Sequence, residues 1–144
     1  MKYLLSILIF SSGFLYAQHT AIDSIHKHKG PLLKFVNDNY YDFGKIPKDT
    51  EVQHTFTFIN AGDEPLVITD VLNSCACGTA EWSKQPIPPG KKGIVREYLK
   101  TNNLDGDFVK DCYVKSNAEN SMYGGVGYQL SIHGRVQSIK SKPQ

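Results

Sequence analysis

Three cysteines are the side chains best equipped for chemistry in this chain: Cys75, Cys77 and Cys112. A thiolate is a nucleophile, a redox group and a soft-metal ligand. Cys75 and Cys77 stand two apart in the run Ser74-Cys75-Ala76-Cys77-Gly78-Thr79. In extended chain their Cα atoms would lie roughly 6.5–7 Å apart, at or beyond the disulfide limit near ~6.8 Å. A bond between them needs a local bend, which Gly78 is placed to permit. A strained, exposed disulfide of that kind would be easily reduced. As free thiolates the two would suit a soft metal such as Cu(I). Zinc would want four ligands, and no local histidine completes the set. Three readings of Cys75 and Cys77 stand side by side: structural or inert, redox or disulfide exchange, and metal binding. No cofactor and no defined metal site are expected.

Cys112 is a different case. In Phe108 to Ser116 it shares a face with Phe108 and Val114, so it reads as a buried core thiol. Lys110 falls on that face too, which a long stem reaching outward would reconcile. The alternative is a third thiol facing the Cys75 and Cys77 loop. A Cys77–Cys112 bridge would then close a long loop and stabilise by about 3 kcal/mol. With three cysteines, at least one is left unpaired within the chain.

Other reactive types are isolated. His26 and His28 lie in a polar stretch with Lys27 and Lys29. For His54 and His133, no serine or acid is spaced to form a triad. The carboxylates are scattered singly, with no pair placed across a cleft. Ser121 to Gly127 is glycine-rich but precedes a strand, so it is no phosphate loop; it reads as a hairpin connection. Trp82 reads as a lid over one end of the molecule, packing on Pro86 and Ile87, with a partner-contact aromatic as the alternative. Nothing here assembles a catalytic centre, and no enzyme is expected.

The elements that must hold these residues follow from punctuation and period. Of 144 residues, Lys2 and then Tyr3 to Leu15 have the charge and apolar run of a secretory signal, with cleavage after Ala17. Residues 1–17 are therefore the expected signal peptide, and 18–30 a flexible lead-in. A single domain is expected over 31–137, and a polar tail over 138–144. The apolar run is short for a membrane span and none of that length follows. An exported chain is expected, and export permits disulfides. Sixteen Lys plus Arg against 14 Asp plus Glu leave no basic stripe for nucleic acid.

Between the tails, clusters of Gly, Pro, Asn and Asp recur every 10 to 15 residues, and no window keeps a helical period. That spacing argues for a β-sandwich or barrel. In Gln53 to Asn60, Phe56 and Phe58 share a face opposite Thr55 and Thr57. In Tyr128 to Val136, Tyr128, Leu130, Ile132 and Val136 face one way. Gln129, Ser131, His133 and Arg135 face the other. This alternation is that of an antiparallel sheet with one buried face. Pro65 to Val71, Gly93 to Leu99 and Phe108 to Ser116 are further strands, and Leu32 to Val36 an edge strand. Pro88-Pro89-Gly90 must be a turn.

Landmarks stand in order along this frame: Tyr41-Asp42-Phe43-Gly44-Lys45-Ile46, His54 to Gly62, Pro65-Leu66-Val67-Ile68, Ser74-Cys75-Ala76-Cys77, Trp82, Pro86 to Gly90, Val114 to Asn117, and Leu130 to Val136. Over about residues 35 to 136 the chain resembles the bacterial family called domain of unknown function 1573 (DUF1573), whose members are typically exported and many from Bacteroidetes. The resemblance implies an immunoglobulin-like sandwich of about seven antiparallel strands, akin to major sperm protein and Hydin-type domains. It also places the exported chain in the periplasm or at the cell surface of a Gram-negative bacterium. It departs from the family pattern at the loop, where Ser-Cys-Gly-Cys-Thr is usual. Ala76 takes positive φ less readily than glycine, and Gly78 is placed to relocate the turn. The expected role is a non-enzymatic binding or structural module of the cell envelope, with a protein or envelope component as partner. The alternative is a thiol redox or soft-metal protein acting through Cys75 and Cys77.

Overall fold

The computed structural model describes residues 29–120 and 127–138. The expected signal, most of the lead-in with His26 and His28, nearly all of the hairpin connection, and most of the tail lie outside the described residues. Eight strands follow in order: β1 Leu33–Phe35, β2 Tyr40–Pro47, β3 Glu51–Asn60, β4 Ile68–Asn73, β5 Gly78–Trp82, β6 Lys92–Lys100, β7 Gly106–Ser116 and β8 Tyr128–Gln137. They form two four-stranded sheets, ordered β1-β3-β6-β5 and β2-β8-β7-β4. The fold is an all-β immunoglobulin-like sandwich.

The period of two builds the core. From the first sheet, Phe56, Phe58, Val95 and Leu99 turn inward; from the second, Val71, Phe108, Val114, Leu130, Ile132 and Val136 meet them. Burying a side chain of this size contributes roughly 1.5–3 kcal/mol, and the side chains of the two inner faces interdigitate to form the core.

Three expectations need amending. The strands number eight among the described residues, because β2 and β5 are strands that patterning did not reveal. One pairing is parallel: β2 runs alongside β8, Tyr40 opposite Ser131 through Pro47 opposite Gln137. Its register shifts between Asp42 and Lys45, where Gly44 takes φ 65° and donates its N–H to Asp42 Oδ1 at 2.8 Å. That backbone favours glycine. Finally, β4 begins at Ile68, not Pro65. Pro65 lacks a donor, and Val67 N–H and Pro65 C=O bond the Asn117 side chain instead of a neighbouring strand.

One buried polar residue ties the loops to the first sheet. Asn60 is 0% exposed. Its Oδ1 accepts from Gly62 N–H at 3.0 Å and Leu32 N–H at 3.4 Å, and its Nδ2 donates to the carbonyls of Glu64 and Ile87 at 2.7 and 2.9 Å. Gly62 is held so closely that an added Cβ would lie 2.0 Å from the Gly30 carbonyl oxygen.

Candidate functional site

β4 ends one sheet at Asn73 and β5 enters the other at Gly78, so Ser74 to Cys77 must cross the open flank of the sandwich. The crossing is clamped at both ends. Ser74 N–H donates to the Asp111 carbonyl at 2.8 Å, and Asp111 N–H donates to Ser74 Oγ at 3.1 Å. At the far end Lys100 N–H donates to the Cys77 carbonyl at 3.0 Å.

Cys75 and Cys77 are joined by a disulfide, with Cα atoms 5.3 Å apart. The chain therefore bends, but not at Gly78. Gly78 is the first residue of β5, and a Cβ there would meet the Asn73 side chain at 3.3 Å. The bend lies at Ala76 and Cys77, closed by a long Gly78 N–H to Cys75 carbonyl contact of 3.4 Å. Neither Ala76 nor Gly78 takes a positive φ. Alanine in place of the family's glycine thus costs this turn no left-handed residue.

A disulfide closing so short a loop does little to restrain the unfolded chain. Loop entropy allows it roughly 1.5 kcal/mol, against about 3 kcal/mol for a fifteen-residue loop.

Cys112 is a free thiol buried among Phe108, Val114 and Leu130. In the β4–β7 register it stands opposite Asn73, two residues before Cys75. Core strand and loop are therefore neighbours at this end of the sandwich. Across the sheet gap, β6 turns Val95, Glu97 and Leu99 inward, so Glu97 is a carboxyl in the core, 3% exposed. Asn73, Cys75, Glu97, Lys110, Asp111 and Cys112 all line one cavity of ≈ 10 Å³, enough for about one water molecule. Lys110, half-buried, reaches this cavity from β7. Glu97 Oε1 is buried with no hydrogen-bond partner among the described residues.

Burial pushes the Glu97 carboxyl above its ordinary range, and hydrogen bonding with the Cys112 thiol partly offsets this. Burial likewise pushes the Cys112 thiol far up, and the Glu97 charge, the hydrogen bond with Glu97 and the Asp111 charge push in the same direction. Cys112 therefore stays a thiol and a poor nucleophile at neutral pH. Sequence reasoning missed Glu97, although the alternation Val95, Glu97, Leu99 carried the signal.

Trp82 sits on β5, half-buried against the core, with Lys84 Nζ 2.9 Å above its ring centroid. Its Nε1 is buried without a partner among the described residues. Ile87 is buried and pairs with Leu66, while Pro86 is exposed. His54 stacks on Tyr41 at 3.7 Å between ring centroids, and burial holds it below its ordinary value.

His133 meets a serine and an acid without forming a triad, because neighbouring strands bring together what spacing along the chain does not. Ser131 Oγ donates to Asp111 Oδ1 at 2.6 Å and lies 3.0 Å from His133 Nε2. The order is not that of a nucleophilic triad. There the imidazole stands between acid and hydroxyl; here the hydroxyl stands between acid and imidazole. Among the described residues no group of three or more His, Cys, Asp or Glu side chains is placed to hold a metal ion.

Fold and site together define a small immunoglobulin-like sandwich with a Cys-X-Cys disulfide on its flank, set over a buried acid and a buried thiol. The chain belongs to the family described as protein of unknown function DUF1573, whose model matches residues 33–136. A protein of unknown function from Porphyromonas gingivalis W83 is similar in structure: TM-score 0.63, 13% identity, covering 80% of this chain and 51% of that one. This chain thus spans about half the length of that relative. The ASH / PapD-like domain 7 of human CEP192 gives TM-score 0.56 at 7% identity, covering 75% of this chain and 87% of that one. The Vibrio cholerae VesB protease gives 0.52 at 16%, covering 74% and 32%. At such identities the likeness is one of fold alone. No curated protein matches the chain.

Proposed function

We propose that the chain works after export as a binding module of the cell envelope, in the periplasm or at the surface of a Gram-negative bacterium. Its docking line is the edge strand β5, and its partner is an extended segment of another exported protein. The observation that carries this reading is a contrast among the four sheet edges. Free edges invite pairing, and proteins blunt those they do not use. β1 is capped by Asn120, whose side chain bonds both Leu33 N–H and Leu33 C=O. β2 and β4 each carry a register shift. β5 pairs regularly with β6 from Gly78 opposite Leu99 to Trp82 opposite Val95.

The hydrogen bonds Lys100 to Cys77 and Ser83 to Ile94 fix which β5 groups point inward. By antiparallel alternation, Thr79 and Glu81 bond β6, while the backbone groups of Ala80 and Trp82 point away from it. An added strand would use those groups.

Ala80→Pro tests this, since it removes an outward donor and leaves the ladder to β6 intact. A photo-crosslinker at Thr79 in living cells should give a discrete adduct with another protein, lost on Ala80→Pro while the melting temperature holds. An adduct that persists in Ala80→Pro, or one formed only between two copies of this chain, would overturn the reading.

A further inference from the structure

The cluster on the flank goes beyond a docking edge and does not depend on it. We infer that Cys75–Cys77 is the oxidised form of a thiol–disulfide exchange site, acting on a dithiol substrate, with the buried Glu97 carboxyl as proton donor to the leaving Cys75 sulfur. Four observations converge. The disulfide spans too short a loop to serve chiefly as a staple. It sits on a crossing clamped at Ser74 and Cys77, which holds the sulfurs in place. Cys75 lines the same water-sized cavity as Glu97. And Glu97 keeps one oxygen, Oε1, buried and without a partner among the described residues, although a buried carboxyl in a stable core is ordinarily satisfied.

The chemistry balances as follows. A substrate thiolate attacks Cys77 Sγ. The substrate–Cys77 bond forms as the Cys75–Cys77 bond breaks, and Cys75 leaves with the electron pair. Glu97 protonates it across the cavity. The second substrate thiolate then attacks the substrate sulfur of the mixed disulfide, releasing Cys77 as thiolate. The substrate ends as a disulfide, having given up two electrons, and Cys75 and Cys77 end as thiols. The two protons come from the substrate thiols, one of them restoring Glu97. Protonating the leaving sulfur speeds exchange because a better leaving thiol departs faster.

Cys112 bonds the Glu97 carboxyl, Lys110 of β7 and Cys75 of the loop line the same cavity, and Asp111 lines it with its carboxylate turned away to Ser131. Cys112 is a positioning residue: its thiol bonds the carboxyl and takes no part in electron transfer.

The test uses the mature chain with dithiothreitol as substrate, and a reduced unfolded protein as a second. Before reduction one thiol should be countable in denaturant, and three afterwards. The rate per unit of substrate thiolate should fall as pH rises through the Glu97 titration. Glu97→Gln should slow reduction at least tenfold and flatten that profile, the scale of a lost general acid. Cys75→Ser, given glutathione disulfide, should hold glutathione on Cys77 as a mixed disulfide, the Cys77 thiolate displacing one glutathione thiol, and Cys112→Ser should shift the pH profile. A flat wild-type profile would overturn the role of Glu97 even if Glu97→Gln failed to fold. Adducts on Cys112, or a disulfide that neither substrate reduces, would overturn the site.

Discussion

Glu97 and Cys112 face one another across the gap between the two sheets, a carboxyl from β6 and a thiol from β7 hydrogen-bonded in the core. Neither belongs to a surface; burial holds Glu97 toward its protonated form against the pull of the Cys112 hydrogen bond, while burial and Glu97 together hold Cys112 as a thiol. A sandwich core needs no such pair, and an apolar pair would pack there without the cost of burying polar atoms. Its presence beside the Cys75–Cys77 disulfide is the feature of this molecule that fold alone does not explain.

The pair makes stability depend on pH in a definite direction. Burial raises the native Glu97 value above its ordinary 4.5. Below that value both folded and unfolded chains carry the proton and no penalty arises. As pH rises, the unfolded chain ionises first, so stability falls until pH passes the native value. The loss is about 1.4 kcal/mol for each pH unit separating the two values. Glu97→Gln should abolish this limb. Urea midpoints at pH 5 and pH 8 read it directly: the drop seen in the wild type should be smaller in the variant.

Asn60 is where a single change should cost most. Its side chain satisfies four backbone groups, those of Leu32, Gly62, Glu64 and Ile87. Asn60→Ala leaves buried donors and acceptors unpaired, at about 1–3 kcal/mol for each one water cannot reach. A loss of at least about 3 kcal/mol in chemical denaturation is expected. A loss under about 1 kcal/mol would mean that the loops relax around the gap.

What the sequence revealed follows the reach of each signal. Phe56 and Phe58, or Leu130 and Ile132, declare their face within a single strand, because side chains alternate. Glu97 declares itself the same way, between Val95 and Leu99, but only when the strand's alternation is followed through a charged residue. β5 has no such signature: Gly78 to Trp82 is short and lies at an edge, so only Ala80 and Trp82 turn toward the core. The parallel pairing of β2 with β8, the meeting of Ser131 with Asp111, and the placing of Cys112 opposite Asn73 are long-range register. No local pattern encodes them. The landmark order over residues 35 to 136 carried the fold, but it was silent on what lines the cavity.

The disulfide should contribute little to stability. Cys75→Ser with Cys77→Ser should lower the unfolding free energy by no more than about 2 kcal/mol, as a three-residue loop implies. The double variant should melt cooperatively and keep Cys112 unreactive toward Ellman's reagent until denaturant is added. A larger loss would make the bond a structural staple and weaken the case for exchange.

His54 should oppose Glu97 in the pH profile. It lies half-buried on β3, stacked on Tyr41 of the opposite sheet and edge-on to Phe56 at 4.7 Å between centroids. Burial depresses its native value below the ordinary 6.5. As pH falls past 6.5 the unfolded chain takes the proton first, so stability drops until the native value is crossed. His54→Phe keeps the aromatic contact between β2 and β3 and removes the titration. Between pH 7.5 and pH 5 the variant should therefore gain stability relative to the wild type. Tyr41→Ala should cost about 0.5–1.5 kcal/mol, the worth of an aromatic pair. It should also bring the His54 ring resonances in NMR titration back toward an ordinary midpoint, because the ring that shields His54 from water is gone. If that midpoint did not move, the depression would have to come from the β3 side of the contact, from Phe56 and the core behind it.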